Sequence, residues 1–198
     1  KCIMNQKILN QLILDLGKGE INAEYVKDTF DIEITKSYNN INEWADAIDD
    51  AILHRYFSKV WQPDMKKWKH SGLQLIDEVN NLRPRNVLDV GCGYNEFKGK
   101  INFLTGIDPY NDKADILIKT IDYTPKQKFD IILCLGSINF GSQIKIETEV
   151  AHCASLLEKG GTMFFRVNPG VKHDKPESKW IDFFAWNVPF IIELADKL

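Results

Sequence analysis

Apolar residues follow two different rules along this chain. Before residue 82 they recur at helical spacing, and from residue 86 onward they come in short continuous runs separated by turns. The runs "NVLDV" (86–90), "FLTGID" (103–108), "DILIKT" (115–120), "FDIILCLG" (129–136) and "TMFFRV" (162–167) predict strands covered on both faces. Between the last two, "SQIKIETEVAHCASLLEKGG" predicts an amphipathic helix terminated by Gly160-Gly161. Strands alternating with crossover segments imply a mostly parallel α/β sheet with right-handed connections. The connections after the first and second strands leave space for a turn or two of helix at most. Helices from the N-terminal region are therefore expected to cover sheet surface left bare there.

Residues 1–82 predict a helical N-terminal extension that caps the domain formed by 83–198. "MNQKILNQLILDLG" places Ile8, Leu12 and Leu16 on one face, with Gly17 as a stop. "NINEWADAIDDAILHRYF" repeats Trp44, Ile48, Ala51 and Ile52, and a third helix begins at Pro63, where a first turn accepts proline. "TFDIEITKSY" alternates and predicts a short strand or an extended lid segment. "PFIIELADKL" predicts a final amphipathic helix; with Lys1 at the other end, the chain reads as a fragment.

Composition narrows this picture only a little. The 198 residues are 44% hydrophobic and carry a net charge of -3, so no global field directs them to nucleic acid or an anionic membrane. The four cysteines, Cys2, Cys92, Cys134 and Cys153, have neither zinc nor disulfide-framework spacing, and the reading is a reduced, cytoplasmic protein without a metal site. No apolar run approaches the roughly 20 residues that span a bilayer.

Ligand crevices of open parallel sheets lie at the carboxyl ends of the strands. Asp89, Gly91 and Gly93 end the first predicted strand, Asp108 the second, Asp122 follows the third, Leu135, Gly136 and Ser137 end the fourth, and Asn168 ends the fifth. One crevice would collect them. Gly91 and Gly93 allow a sharp turn and close backbone approach, and Asp108 follows Asp89 at the ~20-residue interval of an acid that binds ribose hydroxyls. A dinucleotide fingerprint would have a third glycine at position 96, where Glu96 stands. Two carboxylates would repel a pyrophosphate and attract a sulfonium or an ammonium. The pattern therefore points to an adenosyl cofactor without phosphates.

With those residues in place, "VLDVGCGYN" resembles the first motif of class I S-adenosylmethionine-dependent methyltransferases. "GIDPY", "TIDY", "FDIILCLGSINF" and "LLEKGGTMFFRVNPG" resemble the later motifs in order and approximate spacing, over residues 86–194. The resemblance implies a Rossmann-like sheet of order 3-2-1-4-5, without the family's last hairpin, and S-adenosyl-L-methionine as cofactor. It implies that Asp89, Gly91, Cys92 and Gly93 hold the methionine end, that Asp108 holds the ribose, and that Pro109 also contacts the cofactor. Asp122 and Tyr123 would flank the adenine, and Leu135 and Gly136 the methionine side. Asn95 stands where the family commonly has a third glycine, a residue type that tolerates left-handed angles.

Several features have plainer readings. Cys92 reads as a small filler rather than a nucleophile. His54, His70, His152 and His173 show no ligand spacing, and His173 is the one best placed to face a substrate. "KKWKH" (Lys66–His70) reads as the wet face of a helix more readily than as a nucleic-acid contact. Trp180, Phe183, Phe184 and Trp186 read as core, with a pocket wall as the alternative. The Asn/Asp-Pro-Pro-aromatic motif of amino-directed DNA and protein methyltransferases is replaced by "LGSINF", which favours a small acceptor over DNA. The acceptor stays unidentified and no catalytic base stands out, although Ser137, Asn139, Asn168 and His173 are near enough to matter. A non-catalytic methyltransferase-like interaction domain, or less so an NAD-binding oxidoreductase, are the alternatives.

Overall fold

The computed structural model describes residues 4–62, 74–170 and 175–198. Cys2, Pro63, the Lys66–His70 cluster and His173 lie outside the described residues. Five strands, β1 (Val87–Val90), β2 (Leu104–Asp108), β3 (Ile116–Leu117), β4 (Phe129–Leu135) and β5 (Leu157–Arg166), form one sheet in the expected order β3-β2-β1-β4-β5, and every pairing between them is parallel. Around it lie α1 (Gln6–Leu16), α2 (Ala23–Phe30), α3 (Ile41–Arg55), α4 (74–81), α5 (Gln143–Ser155) and α6 (Val188–Asp196).

Side-chain caps set most helix starts. Asn5, Asn22, Asn40 and Asn187 accept hydrogen bonds from the first-turn N–H groups of α1, α2, α3 and α6, and Ser142 does so for α5. In α1, Ile8 and Leu12 are fully buried as expected, but Leu16 is exposed, and Gly17 caps the helix in a right-handed conformation. After α3 the chain tightens into a π turn, Tyr56–Val60, closed by Trp61 N–H donating to the Tyr56 carbonyl at 2.7 Å. Such turns redirect side chains and often mark functional sites.

The core has three parts. On one face of the sheet Leu88, Ile132 and Cys134 pack under α5 and α6. On the other, Val87, Ile131 and Leu133 pack with Val79 of α4 and with Phe97 and Ile101, so an N-terminal helix does cover surface that the short β1–β2 connection leaves open. The third part holds α1 to α3 together around Ile48, Ile52 and Tyr56 and reaches Ile181 in the C-terminal segment. In that segment Phe184 and Trp186 join the first part, while Trp180 and Phe183 join the third, so the aromatic patch is core that ties sheet to helices.

Three expectations need correction. Gly160 and Gly161 do not stop a helix: α5 ends at Ser155, and both glycines lie inside β5, where the register jumps from Phe129↔Leu157 to Ile131↔Thr162. A Cβ on Gly161 would lie 2.7 Å from the Asp130 carbonyl oxygen, so glycine is needed for strand approach there. The third predicted strand shrinks to Ile116–Leu117, both exposed, at the edge of the sheet. Of the two readings of "TFDIEITKSY", the strand is absent: the segment closes α2 and continues without helix or strand, with Ile32 buried.

Candidate functional site

A cavity of 1270 Å³ opens at the carboxyl ends of β1, β2 and β4 under a roof made by α3 and the π turn. Its floor begins with the turn after β1. Gly91 sits at φ +65°, and a Cβ there would lie 2.3 Å from Cβ of Ser137, so the loops after β1 and β4 pass too closely for any side chain. Gly93 also has positive φ, and Asn95, at +57°, takes the left-handed position that its residue type tolerates. Asn95 is buried, and its side-chain amide donates to the Lys113 carbonyl at 3.0 Å. The Cys92 N–H donates to the Ile107 carbonyl at 3.0 Å, and burial together with nearby Asp89 and Asp108 raises the thiol far above its ordinary range. Cys92 lines the cavity as a thiol rather than a thiolate. Glu96 lines the cavity, with Lys100 Nζ 3.8 Å from its carboxylate.

Two carboxylates stand at the strand ends. Asp108 is nearly buried and accepts from three backbone donors: Gly93 N–H at 3.0 Å, Tyr110 N–H at 2.7 Å and Asn111 N–H at 2.9 Å. It therefore fixes the β1 turn and its own loop in one arrangement while lining the cavity. Asp89 is 4% exposed, and burial reinforced by the Asp108 charge lifts its pKa from 3.8 to about 7, against a weaker pull from Arg166. An acid so raised ionises readily once a cation arrives beside it.

Along the rest of the floor, Pro109, Leu135 and Gly136 line the cavity as expected; the Leu135 carbonyl accepts from Arg166 Nη2 at 3.1 Å. Asp122 and Tyr123 do not line it. The chain between β3 and β4 forms a short 3-10 turn, Thr120–Asp122, which presents Lys119, Thr120 and Ile121 to the cavity. Tyr123 instead packs beneath α5, its carbonyl 3.0 Å from His152 Nε2, and Asp122 faces outward. Asn139 and Asn168 both line the cavity and brace each other, Asn168 N–H donating to Asn139 Oδ1 at 2.9 Å, whereas the Ser137 hydroxyl is buried without a hydrogen-bond partner among the described residues.

The roof joins Phe57 and Trp61, which lie outside every sequence motif, to Tyr94, Tyr110 and Phe140 at the ends of three motifs. Phe57 stacks parallel to Tyr110 with centroids 6.1 Å apart and meets Phe140 edge-on at 5.1 Å, and Trp61 stacks on Tyr94 above Gly93. Lys119 of the floor pairs with Asp50 of α3 at 2.6 Å, and Lys175 donates to the Val60 carbonyl at 3.1 Å, so polar ties join roof and floor on two sides. The roof as an assembly is hidden in the sequence because rings from the π turn and its end and from the loops after β1, β2 and β4 meet only in space. The one clue is the aromatic crowding of "RYFSKVW" at the end of a helix. Among the described residues no group of His, Cys, Asp and Glu could hold a metal ion, and no helix is long and apolar enough to cross a membrane.

No protein-family model matches the sequence, and no curated protein sequence does. Solved structures do resemble the fold. The N-methyltransferase NodS from Bradyrhizobium japonicum WM9, in complex with S-adenosyl-L-homocysteine, aligns with a TM-score of 0.54 at 16% identity, over 75% of this chain and 84% of that one. The 1,6-didemethyltoxoflavin-N1-methyltransferase from Burkholderia thailandensis, with 1,6-didemethyltoxoflavin and S-adenosylhomocysteine bound, aligns at 0.53 and 16% identity over 84% and 82%. An S-adenosylmethionine-dependent methyltransferase from Leishmania major aligns at 0.51 and 16% identity over 73% and 70%. At such identity the likeness establishes the fold, which is that of class I methyltransferases.

Proposed function

We propose that this chain, which has the class I methyltransferase fold, is an S-adenosylmethionine-dependent methyltransferase acting on a small-molecule acceptor. The observation that carries the reading is the meeting of Asp89, Asp108 and the Gly91–Gly93 turn on one floor. The residues fit the cofactor: the Gly91 cradle has no space for a Cβ, Asp108 stands at a strand end, and Asp89 is a raised, buried acid suited to a cationic partner. Glu96 in the same lining weighs against a pyrophosphate and so against a nicotinamide dinucleotide.

In this reading Asp89, Gly91, Cys92 and Gly93 hold the amino-acid end, Asp108 with Pro109 the ribose, and Leu135 with Gly136 the adjoining wall. When bound, the donor supplies an electrophilic methyl group for in-line displacement. The chain's own part is to position, to neutralise charge and to exclude water. Asp89 gives up its proton to become the counter-charge of an ammonium or sulfonium. Phe57, Trp61 and Phe140 of the roof keep water from the acceptor side and offer flat apolar walls. A site for one small ligand commonly measures about 300–1,000 Å³, so a cavity of 1270 Å³ supports a donor and a small acceptor together under one roof. The plain side chains near Asn139 and Asn168 suit an acceptor that needs no strong base.

Calorimetry with S-adenosylmethionine and S-adenosylhomocysteine tests the donor half, with both expected to bind and Asp108→Ala expected to lose binding. Transfer of a labelled methyl group to a panel of small amines, phenols and carboxylates tests the acceptor half. Absence of donor binding by the intact chain removes the proposal.

A further inference from the structure

We infer that Glu149 of α5, rather than an acid at the end of β3, reads the exocyclic amine of the donor's adenine. The inference rests on the methyltransferase reading and adds to it a base-specificity residue that the sequence motifs do not contain.

The direction of the base follows from the order of the strands. The glycine turn belongs to β1, and Asp108 ends the neighbouring β2. With the amino-acid end on the glycine turn and the ribose on Asp108, the base continues away from β1, toward the segment after β3. There Ile121 is 43% exposed, although apolar, and lines the cavity with Thr120 and Pro109. These give a flat ring an apolar bed. Asp122, where a polar reader of the base was expected, faces outward.

The polar group that reaches this bed comes from α5. His152 Nε2 lies 3.0 Å from the Tyr123 carbonyl and clamps the helix to the stretch after the 3-10 turn. Glu149 lies one turn earlier on the same helical face, nearer the carboxyl edge of the sheet, and lines the cavity. No hydrogen bond or ion pair engages its carboxylate among the described residues; burial outweighs the attraction of Lys145 and raises its pKa. A half-buried carboxylate without a donor, beside an apolar bed, is suited to accept from an amine, and an amine lost there leaves it unpaired. Of the other cavity acids, Asp50 pairs with Lys119, Asp49 accepts from Asn5 and Glu96 lies 3.8 Å from Lys100, while Asp89 and Asp108 belong in the proposed reading to the amino-acid end and the ribose.

The test is a cycle between residue and ligand atom. Binding of S-adenosylhomocysteine is compared with that of the analogue carrying purine in place of adenine, in which hydrogen replaces the 6-amino group. The wild-type chain is expected to prefer the adenine ligand at least about 10-fold, the worth of one hydrogen bond to a charged group. Glu149→Ala should cut the preference to less than about 3-fold, and Glu149→Gln, which keeps an acceptor without the charge, should fall between. Full preference retained in Glu149→Ala, or lost in Asp122→Asn instead, overturns the assignment. Equal wild-type affinity for both ligands also overturns it while leaving the methyltransferase reading intact. Failure of the wild-type chain to bind either ligand removes both.

Discussion

The floor after β1 and β2 and the roof from α3 to Trp61 enclose the same cavity by different means. The floor is held by backbone: positive φ at Gly91, Gly93 and Asn95, and three N–H groups gathered on Asp108. The roof is held by ring contacts among Phe57, Trp61, Tyr94, Tyr110 and Phe140, with a few polar ties at its margins. A floor of this kind admits few residue types at each position, whereas packed rings tolerate exchange of shape. Under the proposed function, this difference assigns donor binding to the floor and acceptor choice to the roof.

Substitutions break or sharpen that contrast. Gly91→Ala is expected to cost the most, about 4 kcal/mol from left-handed strain plus the clash with Ser137, measured by chemical denaturation; Gly93→Ala, whose Cβ would find Trp61 at 3.4 Å, should cost about 1 kcal/mol. Asp89 comes next and carries the pH dependence. Its raised pKa means that the stability it contributes is present below 3.8 and is lost as pH climbs to about 7. The stability of Asp89→Asn relative to wild type should therefore improve over that window, by on the order of 4 kcal/mol, read from melts across pH. Donor binding below pH 7 should release a proton, visible as buffer-dependent heat.

Asp108→Ala leaves three N–H donors without their acceptor and is expected to cost about 2 kcal/mol of stability. Trp61→Ala should cost only about 1 kcal/mol, with turnover of the acceptor falling far more than donor affinity. The smallest effect belongs to the tie between roof and floor. Lys119 and Asp50 are 51% and 47% exposed, and a double-mutant cycle should give a coupling below about 1 kcal/mol.

The same contrast decides how much is readable from the residues alone. The sheet order and the floor are legible because continuous apolar runs, glycines at strand ends and the interval from Asp89 to Asp108 are local signals. The adenine side is not legible at Asp122 and Tyr123 because a 3-10 turn, Thr120–Asp122, presents Thr120 and Ile121 to the cavity and carries Tyr123 beneath α5, which the residues alone do not signal. Gly160 and Gly161 mislead for a related reason, since a glycine pair ends helices and also lets strands approach across a bulge. The roof and Glu149 escape because their meaning depends on which distant segment lies opposite.

The central claim is that a cationic adenosyl donor lies on the floor made by Asp89, Asp108 and the Gly91 turn. Calorimetric titration of the intact chain with S-adenosylmethionine at about pH 8, above the raised Asp89 pKa, tests it most directly, beside Asp108→Ala. The predicted result is saturable one-to-one binding that the substitution weakens at least about 30-fold, in line with loss of a charged acceptor for ribose hydroxyls. Absence of binding, or equal binding by the variant, would contradict it.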